Sequence, residues 1–288
     1  FNDFYDPAIK AENLRAAQAH GGFTLVRGDL VDPAVMAQAF AHGPVDRVVH
    51  LAAWAGVRPS IQLPALYQKV NVEGTTTVLE ACRAHGCDRL VFASSSSVYG
   101  DRPDVPFRED DRVDFPISPY AATKKAGELL CYTWHHLFGL HVHCHRFFTV
   151  YGPRQRPEMA IHKFARMIQE GAELPLFGDG SSSRDYTFID DIVDGLVASV
   201  ARVEGYRIYN LGESKTTTLA ELVALLGDAL GRAPRVRHLP SQPGDVSTTY
   251  ADVSRARAEL GYDPKVSMPE GIARFVEWFQ RTDGGRRQ

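Results

Sequence analysis

Two kinds of hydrophobic pattern alternate along the chain. Short continuous apolar runs, such as Val48-Val49-His50-Leu51-Ala52-Ala53, are separated by longer stretches in which apolar positions recur every three to four residues. The first kind predicts strands covered on both faces, over 23–26, 47–53, 89–94 and 141–148. The second predicts helices over 7–20, 33–41, 64–85 and 119–138. Alternating strands and helices build βαβ units, so the expected fold class is α/β, a Rossmann-like doubly wound parallel sheet.

Beyond Tyr151 the texture changes. Gly, Pro and Arg gather over 152–157 and 175–184, with helices predicted over 190–201, 218–230 and 269–281 and a strand over 207–211. The expected division puts residues 1–150 and about 186–212 in the sheet domain. Residues 151–185 and 213–282 form a smaller α/β lobe, and 283–288 a disordered tail.

Composition narrows the function classes. With 44% apolar and 23% charged residues the chain reads as globular, and a formal net charge of −3 leaves no basic footprint for nucleic acid. No apolar run approaches the ~18 residues of a membrane span, so no membrane partner is expected. Cys82, Cys87, Cys131 and Cys144 form no CxxC pair, which predicts reduced thiols and a cytoplasmic location.

Ligands of open α/β sheets sit outside the carboxyl ends of the strands. That directs attention to Asp29, to residues 52–58 and 94–97, and to the stretch after Thr149. Tyr120 and Lys124 stand four apart, on one face of a helix. A phenol titrates near ~10, and an adjacent cation lowers that value. Two cations at about 5 Å would each supply roughly 3 kcal/mol toward the phenolate. Alone the spacing is weak; two residues on a solvated helix face would show it too. It gains weight from Ser94-Ser95-Ser96-Ser97 at a strand end about 25 residues earlier, where a hydroxyl can bond a sugar oxygen and relay its proton.

With these residues the chain resembles the extended short-chain dehydrogenase/reductases, the NAD-dependent epimerase/dehydratase family. The motifs are GDL from Gly28, HLAAWAGVRPS from His50, NVEGT from Asn71, SSSSVYG from Ser94, SPYAATK from Ser118, RFFTVYGPRQRP from Arg146, FGDGSSSRDYTFIDD from Phe177, YNLG from Tyr209 and QPGDVSTTYAD from Gln242. Within the group, FNDFYDP and TVYGPRQRP most resemble UDP-glucuronate 4-epimerases.

The resemblance implies roles residue by residue. Tyr120 would be the base, Lys124 would hold the nicotinamide ribose and tune Tyr120, and Ser95 would be the catalytic hydroxyl. Asp29 and Leu30 would meet the adenine of NAD; Leu51, Ala52, Ala53, Asn71, Ser94 and Phe147 would line the rest of the cofactor. Arg184 would pair with the UDP diphosphate, Phe177 with uracil, and Gln242 and Asp245 with the ribose side. Ser96, Thr149, Arg156 and Arg58 would surround the sugar, the last three near a glucuronate carboxylate. A UDP-sugar substrate, NAD as tightly held cofactor and a homodimer of the intact parent are the partners implied.

Ser96 and Ser97 occupy places where dehydratases of this group carry an acidic pair and decarboxylases usually a Glu, which favours 4-epimerisation. UDP-glucuronate decarboxylation, UDP-glucose 4-epimerisation and a non-catalytic nucleotide binder are the alternatives. His141, His143 and His145 alternate along one strand face as a metal site would, though no Asp or Cys joins them at ligand spacing. Asp190 and Asp191 read as caps of the following helix. No glycine-rich turn between a first strand and helix is found. The first βαβ half-unit of the resemblance is expected to be missing, and the chain as given to be poorly stable and to bind little NAD.

Overall fold

The computed structural model describes residues 2–240 and 246–282; Gln242, Asp245 and the tail 283–288 lie outside them. The first half contains α1 (Pro7–Ala19), α2 (Pro33–Phe40), β1 (Val48–His50), α3 (Val57–Gln62), α4 (Pro64–Tyr67), α5 (Gly74–His85), β2 (Arg89–Ser95), α6 (Pro119–Phe138) and β3 (His141–Phe147). The second half contains β4 (Thr149–Tyr151), α7 (Ala160–Glu170), β5 (Glu173–Phe177), β6 (Ser183–Arg184), β7 (Tyr186–Phe188), α8 (Ile189–Arg202), β8 (Tyr206–Leu211), β9 (Thr217–Thr218), α9 (Leu219–Leu230), β10 (Arg235–Leu239), α10 (Ser254–Leu260) and α11 (Met268–Arg281).

The central sheet is parallel throughout, in the order β1-β2-β3-β8. Its α/β character is the one read from the sequence. Residues 23–26 are not a strand: they run extended without a ladder partner among the described residues, and Phe23 and Leu25 are exposed. The predicted helix 64–85 is present without interruption, with a change of winding inside it. Gln68–Glu73 wind as a π-helix between α4 and α5, and π turns recur at functional sites. Among the described residues no helix is long and apolar enough to cross a membrane.

On one face of the sheet, α5 and α6 bury Val78, Leu79, Cys82 and Cys131 against Leu90, Phe92, Val142 and Cys144. Gly127 lets α6 approach β2 closely, because a Cβ there would overlap the Phe92 ring. On the other face lies α8. The strand histidines point that way and are engaged by protein: His143 Nδ1 and His145 Nε2 lie 2.8 and 2.7 Å from Ser199 Oγ, and Gly205 N–H donates to His141 Nδ1. Burial pushes His145 down to about 3. A separate core packs α7, α9 and α11 around β5 and β7, with Phe164, Leu176, Leu226 and Phe275 at its centre.

Asp190 and Asp191 do not cap α8, whose preceding residue Phe188 makes no side-chain cap. Asp191 instead accepts from Lys265 N–H and Val266 N–H at 2.9 and 3.1 Å, tying α8 to the segment before α11, while Asp190 faces Arg274.

The strongest polar tie is buried. Arg146 on β3 donates from Nε and Nη2 to both carboxylate oxygens of Glu128 on α6, at 2.8 and 2.9 Å. Its Nη1 donates to Tyr99 Oη and to the Glu109 carbonyl, and Tyr99 Oη donates to Asn210 Oδ1 at 2.6 Å. Removing one partner of such a pair strands the other charge away from water, at about 3–5 kcal/mol. Glu128→Ala is expected to lower the unfolding free energy by that amount in urea titration; a loss below about 1 kcal/mol would show that the pair does not organise the core.

Candidate functional site

Helix α6 begins at a defined point. Ser118 Oγ accepts from Ala121 N–H at 3.1 Å and Pro119 opens the first turn, which sets Tyr120 and Lys124 one turn apart against the end of β2. The Ser95 hydroxyl, which donates to Ser97 Oγ at 3.2 Å, also draws the Tyr120 phenol down. Lys124 Nζ donates to the Ala93 carbonyl at 2.6 Å and lies 5.2 Å from the Phe92 ring centroid. So Tyr120, Lys124 and Ser95 converge where the sequence puts them.

Their electrostatics differ from the sequence arithmetic. Burial raises the Tyr120 phenol, against the pull of the Ser95 hydroxyl and the Arg156 cation. Burial also lowers Lys124, to about 8. Both groups are desolvated, and the influences opposing that on Tyr120 are Ser95 and Arg156 rather than Lys124, so the mutual help expected of the pair is not what sets their titration.

Two further residues are engaged by protein. Asn71 Oδ1 accepts from Trp54 N–H at 2.7 Å, and its Nδ2 donates to Trp54 O and Thr123 Oγ1, both at 3.0 Å. Asn71 thus ties the loop after β1 to α6 from its helix. The Ser94 hydroxyl donates to Glu128 Oε1 at 2.7 Å. Alternate strand side chains face opposite ways, so Ser94 takes the buried side and Ser95 the reactive one. Asp29 is exposed and accepts from Val31 N–H at 3.2 Å. Leu30 and Ala53 are half-buried, while Leu51 and Ala52 lie open just past the end of β1. Phe147 stands opposite Ser95 in the β2–β3 register.

A cavity of about 710 Å³ adjoins the core around β5 and β7, lined among others by Arg58, Lys163, Phe177, Asp179 and Arg184. Arg184 Nη1 donates to the Ser183 and Ser247 carbonyls at 2.8 and 3.3 Å. Gly56, at φ 106°, turns the chain into α3 and brings Arg58 to 5.4 Å from the Phe177 ring centroid. Arg58 therefore meets the Phe177 ring in the same cavity that Glu158 and Met159, the partners of Arg156, line. Arg156 pairs with Glu158 at 3.1 Å. Ser96 opens a 3₁₀ turn beside Ser95, and Thr149 N–H donates to the Asp185 carbonyl at 3.0 Å as β4 begins.

Sequence reading missed Lys163 because 160–170 was not read as a helix, although Ile161, Phe164, Ala165 and Ile168 recur there at helical spacing. It also missed Tyr67, whose ring stands edge-on to Tyr120 at 6.2 Å and whose hydroxyl donates to Ala55 O.

Protonated Lys124 is disfavoured in the folded protein, at about 8 against 10.5 for a free lysine. The penalty is complete below pH 8 and fades as pH rises toward 10.5. Lys124→Met is expected to unfold at higher urea at pH 7, by about 1–3 kcal/mol, with the gain shrinking by pH 10. A variant less stable than the parent at pH 7 would overturn this.

Comparison with known proteins agrees with this geometry. The family profile described as GDP-mannose 4,6 dehydratase matches residues 5–275. The UDP-glucuronate 4-epimerase of Thermodesulfobacterium geofontis is 41% identical over 279 residues, covering 96% of this chain and 85% of its own length. The crystal structure of UDP-glucuronic acid 4-epimerase from Bacillus cereus with UDP-glucuronic acid and NAD superposes with a TM-score of 0.90 at 33% identity, over 96% of this chain and 87% of that one. Thermus thermophilus UDP-glucose 4-epimerase complexed with NAD gives 0.85 at 33% identity, over 90% and 85%. With the strand-end serine, Tyr120 and Lys124 in place, the chain belongs to the GDP-mannose 4,6 dehydratase family, the NAD-dependent epimerases and dehydratases among the short-chain dehydrogenase/reductases.

Proposed function

We propose that the protein interconverts UDP-glucuronate and UDP-galacturonate by inverting carbon 4 of the sugar through a 4-keto intermediate. The observation that carries this reading is the placement of Arg156. Its guanidinium acts by charge on the Tyr120 phenol and lies 5.5 Å from the Phe4 ring, which rests on Trp54 beside the Ala52-Ala53 rim. This supports a cation on the sugar side of the site, suited to a carboxylate on carbon 6.

The residues present fit the nicotinamide end of NAD. An ammonium has three N–H donors, and Lys124 uses one on Ala93, leaving others for ribose hydroxyls. Ala52 and Ala53 offer a low rim past the end of β1. Among the described residues no glycine-rich turn opens a helix toward the pyrophosphate. When bound, NAD supplies the oxidant that takes hydride from carbon 4 and returns it to the opposite face.

The protein's own groups do the rest. Tyr120 Oη receives the carbon-4 hydroxyl proton and later returns it, and Ser95 steadies the phenolate by donating to it. Arg184, an always-charged fork, suits the diphosphate, and the Phe177 ring suits uracil. Anchoring at that end lets the keto-sugar turn about its link without leaving. The two positions directly after Ser95 are Ser96 and Ser97, not carboxylates that could assist elimination, which supports epimerisation over dehydration or decarboxylation.

Incubation with UDP-glucuronate and NAD, with UDP-galacturonate resolved from UDP-xylose, tests the reading. UDP-galacturonate is the product expected, and Tyr120→Phe is expected to cut turnover about 10²–10⁴-fold. Arg184→Leu is expected to weaken UDP binding in calorimetry by roughly tenfold or more. Predominant UDP-xylose, or full activity of the phenylalanine variant, would reject it.

A further inference from the structure

The segment Phe4-Tyr5 has no part in the reaction as described, yet it lies against the site. The Phe4 ring stands edge-on to Trp54, centroids 5.7 Å apart, directly after the Ala52-Ala53 rim. On its other side the Arg156 guanidinium carbon lies 5.5 Å from the Phe4 centroid. Trp54 is itself fixed, through its backbone, by Asn71. A rigid chain of groups thus runs from α6 through Asn71 and Trp54 to Phe4 and Arg156.

Arg156 has two other holds. Its Nη1 pairs with Glu158, and its Nη2 donates to Met159 Sδ at 3.4 Å. Both come from its own loop, within three residues. Phe4 is the partner from elsewhere in the chain that relates Arg156 to the fixed rim of the sheet. A cation over an aromatic face is held by electrostatics and by shape, and it keeps its N–H edges free for an anion in the ring plane's periphery.

We infer that Phe4 is a positioning residue that aims Arg156 at the sugar, and that this arrangement sets the preference for a carboxylated over a neutral hexose. The inference rests on the proposed function, since it needs a carboxylate for Arg156 to meet. Glu158 would then act as a placeholder anion, from which the substrate carboxylate takes over the guanidinium. Tyr5 follows the same pattern: burial raises its phenol, and Arg156 and Glu158 act on it in opposite directions.

The test compares binding of UDP-glucuronate, UDP-glucose and UDP by calorimetry in the wild type, Phe4→Leu and Phe4→Trp. The leucine keeps apolar bulk and removes the ring face; the tryptophan restores a ring. Phe4→Leu is expected to weaken UDP-glucuronate roughly fivefold, with UDP-glucose and UDP within twofold, and Phe4→Trp to recover the wild-type ratio. Equal loss for both sugars, no loss, or no rescue by tryptophan overturns the inference. A wild type that binds UDP-glucose more tightly than UDP-glucuronate rejects the functional reading itself, and the inference with it; a wild type that prefers the uronate but ignores Phe4→Leu rejects the inference alone.

Discussion

The Glu128–Arg146 pair holds the site together. It joins α6 to the central strand β3 in the interior, and each charge has what burial demands: two N–H···O bonds between them, plus Ser94, Tyr99 and a backbone carbonyl. Arg146 is 1% exposed, so neither charge has water to fall back on. Buried pairs seldom gain much over apolar substitutes, but once present they tolerate little displacement. Tyr120 and Glu128 stand two turns apart on the same helix. The geometry that satisfies the pair therefore also sets how far Tyr120 reaches past the strand end.

A second constraint is the protonation pattern around Lys124. His50 Nε2 lies 3.0 Å from Thr75 Oγ1, and Thr75 donates its own proton to the Asn71 carbonyl at 2.6 Å. Nε2 must therefore carry the proton in that contact. Burial, with Lys124 adding to it, holds His50 down to about 3, so the imidazole is neutral and leaves Lys124 as the cation of this pocket. Asn71 links this cluster to the site, since its carbonyl receives Thr75 while its side chain clamps Trp54 and Thr123. The π-helical winding of Gln68–Glu73 brings these groups to one place.

Much of this was legible in the chain. The Ser118-Pro119 start gave α6 to the residue, and through it the Tyr120–Lys124 pair, because a cap and a proline are local signals. Three things were not. The π winding inside the 64–85 helix carries Asn71, which holds Trp54 seventeen residues away in the chain, and periodicity carries no record of that. The role of Ser94 depends on Glu128, thirty-four residues on, and adjacent serines look alike until a strand assigns them to opposite faces. The direction of the Tyr120 shift turns on desolvation, which is a property of the packed pocket; the spacing of Tyr120 and Lys124 records neither that burial nor that Ser95 and Arg156 are the groups opposing it.

The two arginines of the site are held in contrasting ways, and the contrast suits the proposed reaction. Arg184 is fixed by main-chain carbonyls of Ser183 and Ser247, partners that cannot leave without deforming β6 and its neighbour. Arg156 is held by a carboxylate, a thioether and a ring, all side chains that can be exchanged or can shift. Inversion at carbon 4 requires the sugar to present both faces in turn while the nucleotide stays in place. An anchor of the first kind serves the part that must not move. A guanidinium of the second kind serves the part that must be recognised, released and recognised again after rotation. A sugar gripped as firmly as the diphosphate would be bound well and turned over poorly, because uniform binding lowers the ground state along with the transition state.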